Sequence, residues 1–202
     1  MTGWTTHKGR AIALPVANVD TDQILPARFM SVPRVQGYGD YLFHDMRRNE
    51  AGELRPELNL NRYPAASVLV ARRNFGTGSS REAAVYALVD AGFRAVIAPS
   101  FGDIFAANAV NNGLLPARIG EVQCNELIDH LGDGDAAVAI DLSAGTIDAA
   151  GQQIGFDLDP VWARKLVNGW DDIDLTRAEG DRISEFRDLR RKTAAWTWPA
   201  GS

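Results

Sequence analysis

Apolar residues fall along this chain in two rhythms. Short continuous runs of strand length occur at residues 10–16, 66–71, 95–98 and 114–119. Between the second and third runs, Ala84, Ala87, Leu88 and Ala91 recur at helical spacing, with Gly92 placed as a C-cap. After the third, residues 104–110 read as a helix closed by Gly113. The order strand, helix, strand is a βαβ unit. Residues 125–131 predict a short helix with His130 near its C-terminal end, where an imidazole serves the helix dipole. Past Gly134 the pattern shortens to residues 136–142, 146–149 and 152–158, separated by Gly-containing turns, which predicts an antiparallel meander. Asp159-Pro160 opens a helix over 161–167 that closes at Gly169. A turn at 170–173 and a surface helix over 181–192 follow, the latter with Ile183, Phe186 and Leu189 at helical spacing. The sum is an α/β chain with a mixed sheet and flanking helices.

The stretches between these elements are polar or broken. Asn18, Asp20, Thr21 and Asp22 stop the first strand, and such side chains cap the turn that follows or meet a ligand. Pro26, Pro33, Gly37 and Gly39 make residues 27–40 an exposed loop around a short helical turn. Residues 41–46 begin a short helix, and 49–64 read as surface connection. At 202 residues the chain suits one substantial domain with an extension. Its net charge of −5 argues against a general nucleic-acid or acidic-membrane binder, so any anionic ligand has to be met locally. Cys124 is the only cysteine, which rules out an intrachain disulfide and a thiolate metal cluster built from this chain alone. That usage, a polar N-terminus and the lack of a membrane-length apolar run predict a cytoplasmic protein.

The second strand delivers the stretch Arg73-Asn74-Phe75-Gly76-Thr77-Gly78-Ser79-Ser80-Arg81-Glu82. Gly76 and Gly78 permit positive φ and a close backbone approach. Ser79 and Glu82 have capping-box spacing, which predicts Ser79 at the N-cap of the next helix, an anion site to which Arg81 adds a full charge. The stretch lacks the third glycine of a dinucleotide fingerprint and the lysine of a phosphate-binding loop. A serine hydrolase needs a histidine base, and His7, His44 and His130 stand in no nucleophile-elbow context. Two readings remain: a plain helix cap, or a serine alkoxide that takes a proton from carbon α to a carboxylate gripped by arginine.

Residues 74–82, with Val19-Asp20-Thr21-Asp22-Gln23-Ile24-Leu25-Pro26 before them and Gly92-Phe93-Arg94-Ala95-Val96-Ile97-Ala98-Pro99-Ser100-Phe101 after, resemble the small-subunit family of 3-isopropylmalate dehydratases, in the aconitase superfamily. Gly113-Leu114-Leu115-Pro116 and Asn168-Gly169-Trp170-Asp171-Asp172-Ile173 extend the resemblance, which runs over about 10–173. It implies one swivelling β/β/α domain over 1–202, ending in a helical extension from about 174. It implies a hydro-lyase active only with a separate large subunit, which would carry a [4Fe-4S] cluster, with no cofactor or metal on this chain. Ser79 would be the proton-abstracting base and Arg81 a carboxylate ligand. Ser80, Thr21, Asp22 and, in the loop, Arg34 would complete the substrate contacts, with Gly76 and Gly78 supporting the loop. The reaction implied interconverts 2-isopropylmalate and 3-isopropylmalate by dehydration and rehydration, in leucine biosynthesis.

Four positions depart from the family's usual Gly-Cys-Gly-Ser-Ser-Arg-Glu-His-Ala-Pro-Trp-Ala: Thr77, Ala83, Val85 and Tyr86. Ala83 replaces a histidine, and the loop over 29–39 also differs. These departures leave open a methylmalate, citraconate or dimethylmaleate type of acid, or a non-catalytic module on the same fold.

Overall fold

The computed structural model describes residues 2–78 and 81–198. Its strands are β1 (Thr6–Leu14), β2 (Val68–Ala71), β3 (Ala95–Ala98), β4 (Leu115–Arg118), β5 (Asp135–Asp141), β6 (Thr146–Ala149) and β7 (Gln152–Gly155). They form one sheet in the order β4-β3-β2-β1-β5-β6-β7. β1 to β4 run parallel, with Leu14 opposite Ala71 and Ala98 opposite Arg118. β5 to β7 form the antiparallel meander, joined to the other edge of β1. The helices are α1 (Thr21–Ile24), α2 (His44–Arg47), α3 (Asn59–Arg62), α4 (Glu82–Asp90), α5 (Asp103–Asn111), α6 (Glu121–Leu131), α7 (Pro160–Asn168), α8 (Asp172–Ala178) and α9 (Gly180–Thr193).

β2 and β3 are buried along their whole length because helices cover both faces of the parallel half, hence their unbroken apolar runs. Ile12, Leu14, Leu69, Ala71 and Val96 join Val85, Leu88 and Phe105 from α4 and α5 in one layer. Ala11, Ala13, Val68, Val70 and Ile97 join Cys124, Leu127 and Ile128 of α6 in the other. Each large aliphatic side chain buried this way contributes about 1.5–3 kcal/mol of transfer free energy.

Several elements differ from the sequence pattern, among them α3 within the stretch read as surface connection, and β1, α6 and α8. β1 starts at Thr6, not residue 10, because Thr6–Arg10 pair only with β5 and remain partly exposed, so they carry no apolar run. The helix expected over 125–131 begins a turn earlier, at Glu121. Residues 170–173 lead into α8 rather than a simple turn: Asp171 accepts the N–H groups of Ile173 and Asp174 at 2.8 and 2.9 Å. No residue of α8 is buried, so no apolar period announces it. The same corner explains the 168–173 motif. Gly169 ends α7 in the left-handed region at φ +70°. Lys165, only 4% exposed, reaches Asn111 of α5 at 2.8 Å and pairs with Asp172.

α9 buries none of its residues and packs against the turn at Ala195–Thr197. Among the described residues, no helix is long and apolar enough to cross a membrane.

Two outcomes follow. Cys124 is fully buried, its thiol donates to the Ala71 carbonyl at 3.2 Å, and burial pushes its pKa up to about 11. Native protein should therefore react with iodoacetamide at least ~100-fold more slowly than denatured protein, read by mass spectrometry. Its hydrogen bonds to Lys165 and then Asn111 hold the Asp172 carboxyl below its usual value of 3.8. The stabilisation is complete above that value and lost as pH falls through the lower folded pKa. Asp172→Asn should cost about 1 kcal/mol at pH 7, limited by the carboxylate's exposure, and the cost should vanish in acid-unfolding curves at the lowest pH.

Candidate active site at the carboxyl edge of the parallel sheet

Loops leaving β1, β2 and β3 meet at one edge of the sheet, where open α/β sheets place ligands. The middle loop is stitched to both neighbours. On the β1 side, Gly76 and Thr77 donate their N–H groups to the Val19 carbonyl at 2.8 and 3.2 Å, and Thr21 N–H donates to the Thr77 carbonyl at 3.0 Å. On the β3 side, Phe75 N–H donates to the Ser100 carbonyl at 3.0 Å, and Gly102 N–H to the Phe75 carbonyl at 2.9 Å. This close layering requires glycine. Gly76 has φ +74°, and a Cβ on it would lie 2.1 Å from the Phe105 ring. A Cβ on Gly102 would lie 2.5 Å from the Gly76 carbonyl oxygen. Gly78, at φ +95°, has room for a Cβ, and there the backbone conformation itself favours glycine.

Ser79 and Ser80 lie outside the described residues. The helix they precede starts at Glu82, and its N-cap residue is Arg81, so the predicted Ser79–Glu82 capping box gives way to a later start. Glu82 instead accepts from the Asn112 side chain at 2.7 Å, which ties α4 to the end of α5. Arg81 reaches across to the β1 loop and pairs with Asp22. Thr21, beside it, is 2% exposed and its N–H is held by Thr77. Asp20 is occupied in a capping box with Gln23, at 2.7 and 2.9 Å, which leaves Asp22 as the carboxylate directed at Arg81. Thr21, Asp22, Gly76, Gly78 and Arg81 thus come together from two separate parts of the chain.

Arg34 does not join them. It pairs with Asp90 at 2.7 Å and lies over the Tyr86 ring at 4.3 Å, at the C-terminal end of α4. Nine helical residues, roughly 13 Å, separate that end from Arg81. The anchor is Asp90, which also accepts Tyr38 N–H at 2.7 Å and so fastens the loop to the far end of the helix.

Several residues at this edge go unannounced in the sequence pattern. Asn18 and Asn74 both take positive φ, at 56° and 62°, and their side chains bond each other at 3.0 Å. Ser100 accepts Asn74 N–H on its hydroxyl at 2.9 Å. Asparagine is the non-glycine residue that most readily takes this conformation, so two asparagines after strand ends were the available signal. A depression of about 350 Å³ beside α1 is lined by Asp20, Asp22, Gln23, Asp45 and Met46. Arg28, stacked over Phe29 at 4.6 Å, holds Asp45 at 2.9 Å, and His44 adds a contact at 3.1 Å. Those two partners, Arg28 first, lower the Asp45 pKa to about 2. The edge therefore carries two guanidinium groups, Arg81 and Arg28, each resting on an aspartate of this small depression.

Among the described residues no three His, Cys, Asp or Glu groups come together as a metal site. Cys124 lies in the α6 layer under the Ala71 carbonyl. These residues do not fit an iron–sulfur cluster held by this chain.

Of the departures from the family motif, Val85 is core, Ala83 packs partly buried against the same layer, and Tyr86 carries Arg34. Residues 1–121 match the aconitase C-terminal domain family. A 3-isopropylmalate dehydratase small subunit from Shewanella amazonensis is 45% identical over 192 residues, covering 92% of this chain and 96% of that protein. Its counterpart from Bacillus velezensis is 45% identical over 188 residues, covering 92% and 94%. The crystal structure of 3-isopropylmalate dehydratase from Methanocaldococcus jannaschii superposes with a TM-score of 0.66 at 28% identity, covering 89% of this chain and 98% of that one. The chain belongs to the family of 3-isopropylmalate dehydratase small subunits, built on the α/β fold of the aconitase C-terminal domain.

Proposed function

We propose that this chain supplies the proton-transfer half of a 2-isopropylmalate/3-isopropylmalate hydro-lyase. The observation that carries the reading is the meeting of Thr21 and Asp22 with Arg81, through the Thr21–Thr77 hydrogen bond and the Asp22–Arg81 pair, Arg81 being the residue that follows Ser79-Ser80 in the sequence. In this scheme Arg81 exchanges Asp22 for a substrate carboxylate, which its planar fork can hold by two hydrogen bonds. Ser79, as alkoxide, removes the proton from the carbon α to that carboxylate. The electron pair left behind forms the carbon–carbon double bond as the hydroxyl leaves the adjacent carbon, taking up a proton from solvent to depart as water, while Ser79 keeps the abstracted proton. Charge that develops on the carboxylate during proton removal falls on the Arg81 guanidinium, where preorganised electrostatic stabilisation is most effective. Rehydration with the hydroxyl on the other carbon gives the isomer.

Departure of the hydroxyl requires an electrophile that these residues do not provide. We assign it to a [4Fe-4S] cluster on a partner large subunit, consistent with relatives named as small subunits. The second substrate carboxylate falls to Arg28, whose partner Asp45 lines the same depression as Asp22, rather than to Arg34, which is tied to Asp90. The site would work in the cytoplasm, where branched-chain amino acid synthesis draws on such acids.

Two substitutions test the roles in the complex reconstituted with its large subunit. Ser79→Ala should lower kcat by about 10²–10⁴-fold with 2-isopropylmalate, as expected for loss of a general base. Undiminished alkene formation would remove Ser79 from that role. Arg81→Lys keeps the charge but loses the fork, and KM should rise at least ~10-fold. A panel that adds methylmalate, citraconate and dimethylmaleate sets the side-chain preference.

A further inference from the structure

At the C-terminal end of α4, away from the Arg81 edge, a cavity of about 280 Å³ opens. Its apolar lining includes Leu42, Leu60 and Phe93, all buried side chains of the α4 layer. Two oppositely charged groups, Arg47 and Asp40, share the wall above them. Arg47 is half-buried. Its Nε donates to the Asn61 side chain at 2.7 Å and its Nη1 to the Leu42 carbonyl at 3.3 Å. Neither Arg47 nor Asp40 forms an ion pair among the described residues, and the Arg47 Nη2 donors bond none of them. Asp90, also in the wall, is already matched by Arg34 and the Tyr38 N–H. Burial first, and then Arg48, lower the Arg47 pKa, and the charge of Asp40 across the wall offsets them only in part.

We propose that this cavity binds a small zwitterionic α-amino acid with an aliphatic side chain. The α-carboxylate meets the open Nη2 face of Arg47, the ammonium group meets Asp40, and the side chain lies on Leu42, Leu60 and Phe93. The chemistry follows from the wall: a partly desolvated cation gains most from a charge-assisted hydrogen bond, and the carboxylate beside it gives an amine a partner in the same ligand. A volume just under the ~300–1,000 Å³ of drug-sized sites suits a ligand of amino-acid size. A simple carboxylic acid leaves Asp40 unmatched, and a simple amine leaves Arg47 unmatched, so recognition depends on both charges. The cavity lies roughly 13 Å along α4 from Arg81, so this ligand does not compete with a dicarboxylate there.

Calorimetric titration of the full-length chain with L-leucine, 4-methylpentanoate and isopentylamine tests the assignment. Leucine should bind saturably at one site, and each analogue at least ~10-fold more weakly, because each leaves one of the two wall charges without a partner. Asp40→Asn and Arg47→Gln should each weaken leucine to a similar degree, and malate should leave its affinity unchanged. Arg47→Gln also removes the contacts to Asn61 and Leu42, so Asp40→Asn, at an exposed and unbonded position, is the deciding variant. Absence of saturable binding up to ~10 mM leucine, equal binding of 4-methylpentanoate, or unchanged affinity in Asp40→Asn would each overturn the proposal.

Discussion

The carboxyl edge of this protein depends on one backbone crossing. Gly76 passes the Phe105 ring so closely that a Cβ would sit 2.1 Å from it, and it does so at positive φ. From that position its N–H reaches the Val19 carbonyl while the adjoining Phe75 carbonyl accepts from Gly102. A side chain here would have to displace either α5 or the loop itself. Everything that brings the β1 loop to the β2 loop follows from this fit: the Thr21–Thr77 hydrogen bond, the Asp20–Thr77 bridge and the pairing of Arg81 with Asp22. The charge chemistry is thus set by backbone geometry a few residues earlier in the chain.

The parallel half of the fold was legible in the sequence because strands covered on both faces need unbroken apolar runs, and residues 66–71 and 95–98 supply them. The meander showed through its short runs and glycine turns. What escaped was whatever does not bury apolar surface. The polar start of β1 is held by β5 pairing, α8 by the Asp171 cap, and α3 shows only Leu60 to the core. At the candidate site, motif alone pointed to the glycines and to the Thr21-Asp22 and Arg81 positions. The contact between them was not legible, because it is made across 59 positions of chain. Arg34 shows the limit of loop reasoning. Its sequence neighbourhood suggests the site, but Asp90 holds it at the other end of α4. Arg28, six residues earlier, is instead held by Asp45, which lines the depression beside Asp22.

In the proposed scheme, the Arg81 and Arg28 ion pairs are how an acidic chain would hold a dianion. Arg81 and Arg28 rest on Asp22 and Asp45, so the edge is nearly neutral until a ligand carboxylate replaces an aspartate. Such an exchange swaps one ion pair for another and avoids leaving an unpaired cation at the edge of the sheet. Of the departures from the family motif, Thr77 takes part in the site through its backbone, to Val19 and Thr21, and the other three lie on α4. Val85 and Ala83 pack into the α4 layer and Tyr86 supports Arg34, so they shape the helix behind the site rather than the charges at its mouth.

The central claim is that this edge is half of a catalytic site, completed by a second chain. Its most direct test is to follow alkene formation from 3-isopropylmalate in three preparations: this chain alone, the cluster-loaded large subunit alone, and the two together. The account predicts turnover only in the mixture. Turnover by this chain alone, or by the large subunit at the rate of the mixture, would contradict it.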